Sequence, residues 1–209
     1  MHPNVAPVQS GSCAAVGFSV HSGWAAAVGL TLVKNQPQVL VRARPELVES
    51  FTYRFRQPYH TAEKMPLEQG RAFVASVERL AKRLARAAIQ AMQSELRKKG
   101  FDLISIAVIR ASAKPLPTLD RILASHALIH TADGELFRNA LTHAGEHCNL
   151  AGFTIKQREL IETGCKTFDL TTETLTNRLT AIGKPMGSPW SQDEKSAALA
   201  AWLALATES

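Results

Sequence analysis

The sequence predicts an α/β protein with one mixed sheet, ordered βββαβαβα along the chain and covered by helices on both faces. Three observations carry this. Residues 13 to 44 hold three apolar, β-branched runs separated by turn residues, the spacing of an antiparallel meander. A long stretch of helical periodicity follows between Pro66 and Gly100. Phe101 to Ile109 is then nearly continuous in apolar character, as expected of a strand buried on both faces. A helix between two strands of one sheet makes a right-handed crossover, so the fourth and fifth strands should run parallel to the first.

Composition sets the scale. The chain has 209 residues, 45% hydrophobic and 20% charged, enough for one full-sized core and too apolar for disorder. Residues 1–12, rich in Pro, Asn, Gln and Ser, read as a flexible tail before a single domain over 13–209. They lack the basic start and apolar core of a signal peptide, and no apolar run approaches the roughly 20 residues that span a bilayer. Cys13, Cys148 and Cys165 stand at wide spacing with no CxxC, which points to no disulfide framework, no cysteine-based metal site and a reduced, cytoplasmic setting. A net charge of +6 favours acidic partners such as nucleic acid.

In chain order, Cys13 to Val33 forms two strands around a turn at His21, Ser22 and Gly23, which presents polar side chains at a sheet edge. Gln38 to Arg44 makes a third strand, ended by Pro45. Residues 45–65 read as a long loop with a short strand at Phe51 to Phe55. The helix from Pro66 to Gly100 places Phe73, Val77, Leu80, Leu84, Ala88 and Met92 on one face. Opposite them, Arg71, Arg79, Lys82, Arg86 and Arg97 form a basic stripe with Arg83 at its border. Thr118 to Leu150 is one long helix or two abutting ones, with weak points at Gly134 and Gly145. Gly152 to Lys156 is a short fifth strand, and helices follow over Thr171 to Ile182 and Ser191 to Ala206. Ser191-Gln-Asp-Glu194 has capping-box spacing, in which serine and glutamate satisfy each other's exposed amides.

This order resembles the ribonuclease H-like fold, and within it the RuvC family of Holliday-junction resolvases. Ala15-Val-Gly-Phe-Ser-Val-His-Ser-Gly23 is similar to that family's first strand and turn, and Ile104 to Ile109 to its fourth strand. Ser125 to Lys156 is similar to its middle, and Glu194 to Ala201 to the start of its last helix. The resemblance implies phosphodiester cleavage by two magnesium ions, clamped by several carboxylates so that attacking and leaving oxygens are stabilised together. At the corresponding positions this chain carries Ser19, Ala107 and either Glu194 with Ala197 or, one residue earlier, Asp193 with Ser196. One carboxylate cannot hold two hard cations. The expectation is a catalytically silent domain with no cofactor and a polar pocket of Ser19, His21, Ser22, Asp193 and Glu194. Its partner would be nucleic acid met by the basic stripe, another protein, or a second copy of the chain. An actin-like ATPase reading of the fold needs acidic and glycine-rich phosphate loops that Gly17 and Gly23 alone do not make.

The alternative is a metal-dependent hydrolase. One form is a nuclease that rebuilt its site from Asp102, Asp120, Asp133, Asp193 or Glu194. The other uses histidines, which fall as two i,i+4 pairs, His126/His130 and His143/His147. His143-Ala-Gly-Glu-His147 matches the HxxEH pattern of inverted zinc peptidases, with Glu162, Glu173 or Glu194 as a distant acidic ligand. Gly145 weakens the helix meant to orient that pair, and about 20 Å of helix separates the two pairs, so they cannot share one ion. Asp133, with Glu135 nearby, is placed to join His126 and His130.

Overall fold

A computed structural model describes residues 12–111 and 115–207, so the expected tail, up to residue 11, lies outside the described residues. Ser12 opens β1 (Ser12–His21), which turns through Gly23, at φ +86°, into β2 (Trp24–Val33). Lys34 and Asn35 both take positive φ in the next two-residue turn, the backbone that a tight hairpin demands, and β3 (Gln36–Ala43) follows. With β4 (Phe101–Arg110) and β5 (Ala151–Lys156) the sheet has the order β3-β2-β1-β4-β5. β1, β2 and β3 pair antiparallel, while β4 runs parallel to β1 and β5 parallel to β4. The mixed sheet and its parallel crossovers are those expected.

The side chains of β1 alternate between two cores, as the pleat requires. Ala14, Val16 and Phe18 pack with α3 (Leu67–Lys98) and α5 (His126–His147), while Ala15 packs with α8 (Gln192–Thr207). Every residue of α8 from Ser196 to Leu205 is buried, because α6 (Leu160–Phe168) and α7 (Thr172–Ile182) cover the side turned away from the sheet. A helix apolar all round is the sequence signature of such an enclosed position.

Three expectations need correction. No strand forms at Phe51 to Phe55; the segment holds two short helices, α1 (Tyr53–Arg56) and α2 (Pro58–Ala62). Pro58 suits a first helical turn, and Phe55 packs against the core beside Phe73, which favours the helical course over an unpaired strand. On α3 the buried line runs through Gly70, Val74, Val77, Ala81, Ala85, Ile89, Met92 and Leu96, and Phe73, Leu80, Leu84 and Ala88 are half-buried on its flank. Small residues at the centre let α3 approach the sheet, so the larger apolar side chains fall to either side. Finally, α6 was not anticipated. The stretch before β5 resolves into two helices, α4 (Leu119–Leu123) and α5, and Gly145 lies where Ile106 of β4 presses against α5, its ideal Cβ position 2.3 Å from the Ile106 Cδ1.

Candidate functional site at the carboxyl edge of the sheet

Ser19 and His21 are two residues apart on β1 and therefore share a face, the one turned to α8. The first turn of α8 delivers Asp193 to them. The Ser19 hydroxyl donates to Asp193 Oδ1 at 3.0 Å, and His21 Nε2 lies 3.0 Å from the same oxygen without in-line hydrogen-bond geometry. The His21 ring stacks on Trp24 at 4.3 Å, and the Arg44 guanidinium lies 4.1 Å above the indole. Because the carboxylate touches both partners, the histidine does not stand between serine and aspartate. The relay that would let an imidazole take a proton from a nucleophilic serine is not assembled here.

The capping box decides which acid faces the edge. Glu194 accepts from the Ser191 amide at 2.8 Å and from the Ser191 hydroxyl, while the Asp193 amide donates to Ser191 Oγ at 3.1 Å. Glu194 is thereby committed to the helix start, and Asp193 is left to meet Ser19. Ser196, one turn on, is buried, and the carbonyl of Ala197 would lie 1.9 Å from a Cβ placed on Gly17. Ala107 pairs with Gly17, two residues deeper in the sheet than Ser19, and is fully buried. The other aspartates are dispersed: Asp102 is at the opposite end of β4, Asp120 is in the first turn of α4, and Asp133 is buried on α5. Of the acids weighed for a rebuilt site, Asp193 is the one that bonds Ser19.

A cation missed in the sequence stands at the same edge. Arg138 of α5 donates to the carbonyls of Val20 and Ile109, near the ends of β1 and β4, at 3.3 and 3.2 Å. Its guanidinium lies 3.6 Å from Glu135, which also accepts from Arg110 at 2.7 Å. Burial pulls the Arg138 pKa below its ordinary value, against the pull of Glu135. With His21, Ser22 and His130 it lines a cavity of about 480 Å³. Its signal in the sequence was only the i,i+3 spacing from Glu135, which is common on solvated helices.

The basic stripe of α3 is exposed apart from the half-buried Lys82. Arg71 pairs with Glu68, Lys82 with Glu78 and Arg83 with Glu49. Arg79, Arg86 and Arg97 have no acidic partner among the described residues. Lys82, Arg83 and Arg86 face His143 and His147 across a groove of about 390 Å³ between α3 and α5. His147 Nδ1 donates to the His143 carbonyl at 2.9 Å, and no third ligating side chain joins this pair among the described residues. Partial desolvation, then His147 and Lys82, hold the His143 pKa below the usual imidazole range.

Similar solved structures include Thermus thermophilus RuvC in complex with a Holliday junction substrate, at 8% identity, covering 94% of each chain with a TM-score of 0.52. A second structure of RuvC from the same organism also has 8% identity and a TM-score of 0.52, covering 93% of this chain and 95% of that one. The yeast mitochondrial Holliday junction resolvase has 11% identity and a TM-score of 0.44, covering 96% of this chain and 79% of that one. No protein-family model matches the chain, and no curated protein matches it. The fold is ribonuclease H-like, and at 8% identity the likeness shows the fold alone. Among the described residues no helix is long and apolar enough to cross a membrane.

Proposed function

We propose that this chain is a nucleic-acid-binding ribonuclease H-like domain, one unit over residues 13–209 in a reduced compartment, that does not cleave phosphodiesters. The observation that carries the second half is the edge itself, where Asp193 is the acid that meets Ser19 and the nearby Glu135 carboxylate is held between Arg110 and Arg138. Two divalent ions need several free anionic oxygens. The net charge and the unpaired Arg79, Arg86 and Arg97 on α3 support the binding half. One similar structure is of a resolvase holding a Holliday junction, so four-way DNA is the first nucleic acid to test, with duplex as comparison.

Fluorescence anisotropy at two salt concentrations tests binding. If about four phosphates are neutralised, a fourfold rise in salt should weaken affinity on the order of 100-fold. The double charge reversal Arg79→Glu with Arg86→Glu should lower affinity at least about tenfold and reduce the salt slope by about two. Both residues are exposed, so stability should stay within about 0.5 kcal/mol for each substitution. No binding at low salt, or magnesium-dependent cleavage lost on Asp193→Asn, would sink the proposal.

The groove adds a pH dependence with a definite sign. Desolvation, then His147 and Lys82, hold the His143 pKa below its ordinary value, and a phosphate bound in the groove would pull it back up. Binding should then take up a proton, so affinity should rise as pH falls from neutrality through the imidazole range. Substituting His143→Asn should flatten that rise while leaving binding at higher pH in place.

A further inference from the structure

We propose that His60, His126 and His130 form a zinc site with one coordination position left open. His126 and His130 stand one turn apart at the exposed start of α5, with their Nε2 atoms 3.0 Å from each other. The buried His60 comes from α2, the segment whose sequence gave no sign of a role, and its ring centre lies 5.3 and 4.5 Å from those of His126 and His130. One potential ligand atom from each of the three falls within 4.8 Å of the others. A tetrahedral zinc ion with bonds near 2.0 Å holds its ligand nitrogens about 3.3 Å apart. The α5 pair would have to part slightly and close on His60, which rotation of two exposed side chains permits.

The buried Asp133 does not join His126 and His130 as a fellow ligand, as its spacing had implied. Its Oδ2 lies 2.5 Å from His60 Nδ1, and its Oδ1 accepts from the Tyr59 amide at 2.7 Å. A carboxylate at Nδ1 places the ring proton there and leaves the Nε2 lone pair for an ion. Both oxygens thus serve to orient one imidazole, the arrangement that supports histidine ligands in zinc sites. A satisfied core aspartate–histidine pair has no need of two further imidazoles packed against it. An all-nitrogen donor set suits zinc and excludes magnesium and calcium, which take oxygen ligands. Three histidines leave the fourth position to water or another ligand, and His130 borders the cavity lined by His21, Ser22 and Arg138.

The test is zinc titration of the chelator-treated full chain by calorimetry, with cobalt(II) absorption as a second readout. One equivalent of zinc should bind with micromolar affinity or better, and cobalt should give the visible bands of a tetrahedral nitrogen site. His126→Ala and His130→Ala should each weaken binding at least about 100-fold, and Asp133→Asn about 10- to 100-fold. His143→Ala should leave it unchanged. His60 and Asp133 are buried, so the exposed His126 and His130 variants, checked for an unchanged fold by circular dichroism, decide the matter. Absence of stoichiometric zinc, binding indifferent to both of those variants, or binding lost with His143→Ala overturns the proposal.

Discussion

Substituting Gly17→Ala is expected to destabilise the protein by about 3 kcal/mol, lowering Tm by about 6 to 12 °C for a chain of this size. Gly17 sits in the middle of β1 and faces α8. A Cβ there would stand 1.9 Å from the Ala197 carbonyl oxygen and 2.8 Å from the Ala201 amide nitrogen. Both are backbone atoms, so no rotamer change relieves the clash. The strand cannot retreat, because it pairs with β2 on one side and β4 on the other. The helix would have to move instead, against α6 and α7, and would carry Asp193 away from Ser19. By contrast Gly152→Ala, where no atom lies within 4 Å of the new Cβ, should be neutral or stabilising by a few tenths of a kcal/mol. Chemical denaturation of the two variants measures the difference. Equal stability would mean that α8 does not approach β1 as closely as described.

The same close approach explains which parts of the fold were legible. β1, β2 and β4 announce themselves because apolar runs bounded by turn residues have few other uses, and α3 because its periodicity continues through about nine turns. The capping box at Ser191 was legible too, yet its consequence was not: only packing shows that Glu194 is held at the cap and Asp193 is the acid at the edge. Phe51-Thr-Tyr-Arg-Phe55 alternates aromatic and polar residues like a strand, but five residues cannot outweigh the packing of Phe55 beside Phe73 on α3. α6 was hidden by Gly164, a poor helix former on propensity alone. In the fold it is an opening into which Leu199 and Leu175 fit, 2.9 and 3.0 Å from its ideal Cβ. His60 and Arg138 act across 73 and 118 residues of chain respectively, to Asp133 and Val20, separations that no local pattern reports.

Removing the Glu135 carboxylate by Glu135→Ala should cost about 3 to 5 kcal/mol, the scale for breaking a buried ion pair from one side. Glu135 is 3% exposed and stands between two guanidiniums, Arg110 at 2.7 Å and Arg138 at 3.6 Å. Without it, Arg138 keeps a positive charge that burial and Arg110 both disfavour, while its bonds to the Val20 and Ile109 carbonyls hold it in place. Arg110 suffers less, since it also donates to Asn139 at 2.6 Å and reaches solvent. Pairing Glu135→Leu with Arg138→Met removes both charges, and such replacements are often near neutral in a core. Here the recovery should be incomplete, because two strand-end carbonyls lose their donor, and the cycle should show a coupling of about 1 to 3 kcal/mol. Urea unfolding of the four proteins supplies the numbers. The outcome bears on function as well as stability, because in the proposed reading Glu135 offers no oxygens to a pair of divalent ions while its two arginines hold it. If Glu135→Ala costs no more than a surface substitution, Glu135 is not committed to its two arginines, and the proposed lack of cleavage loses that support.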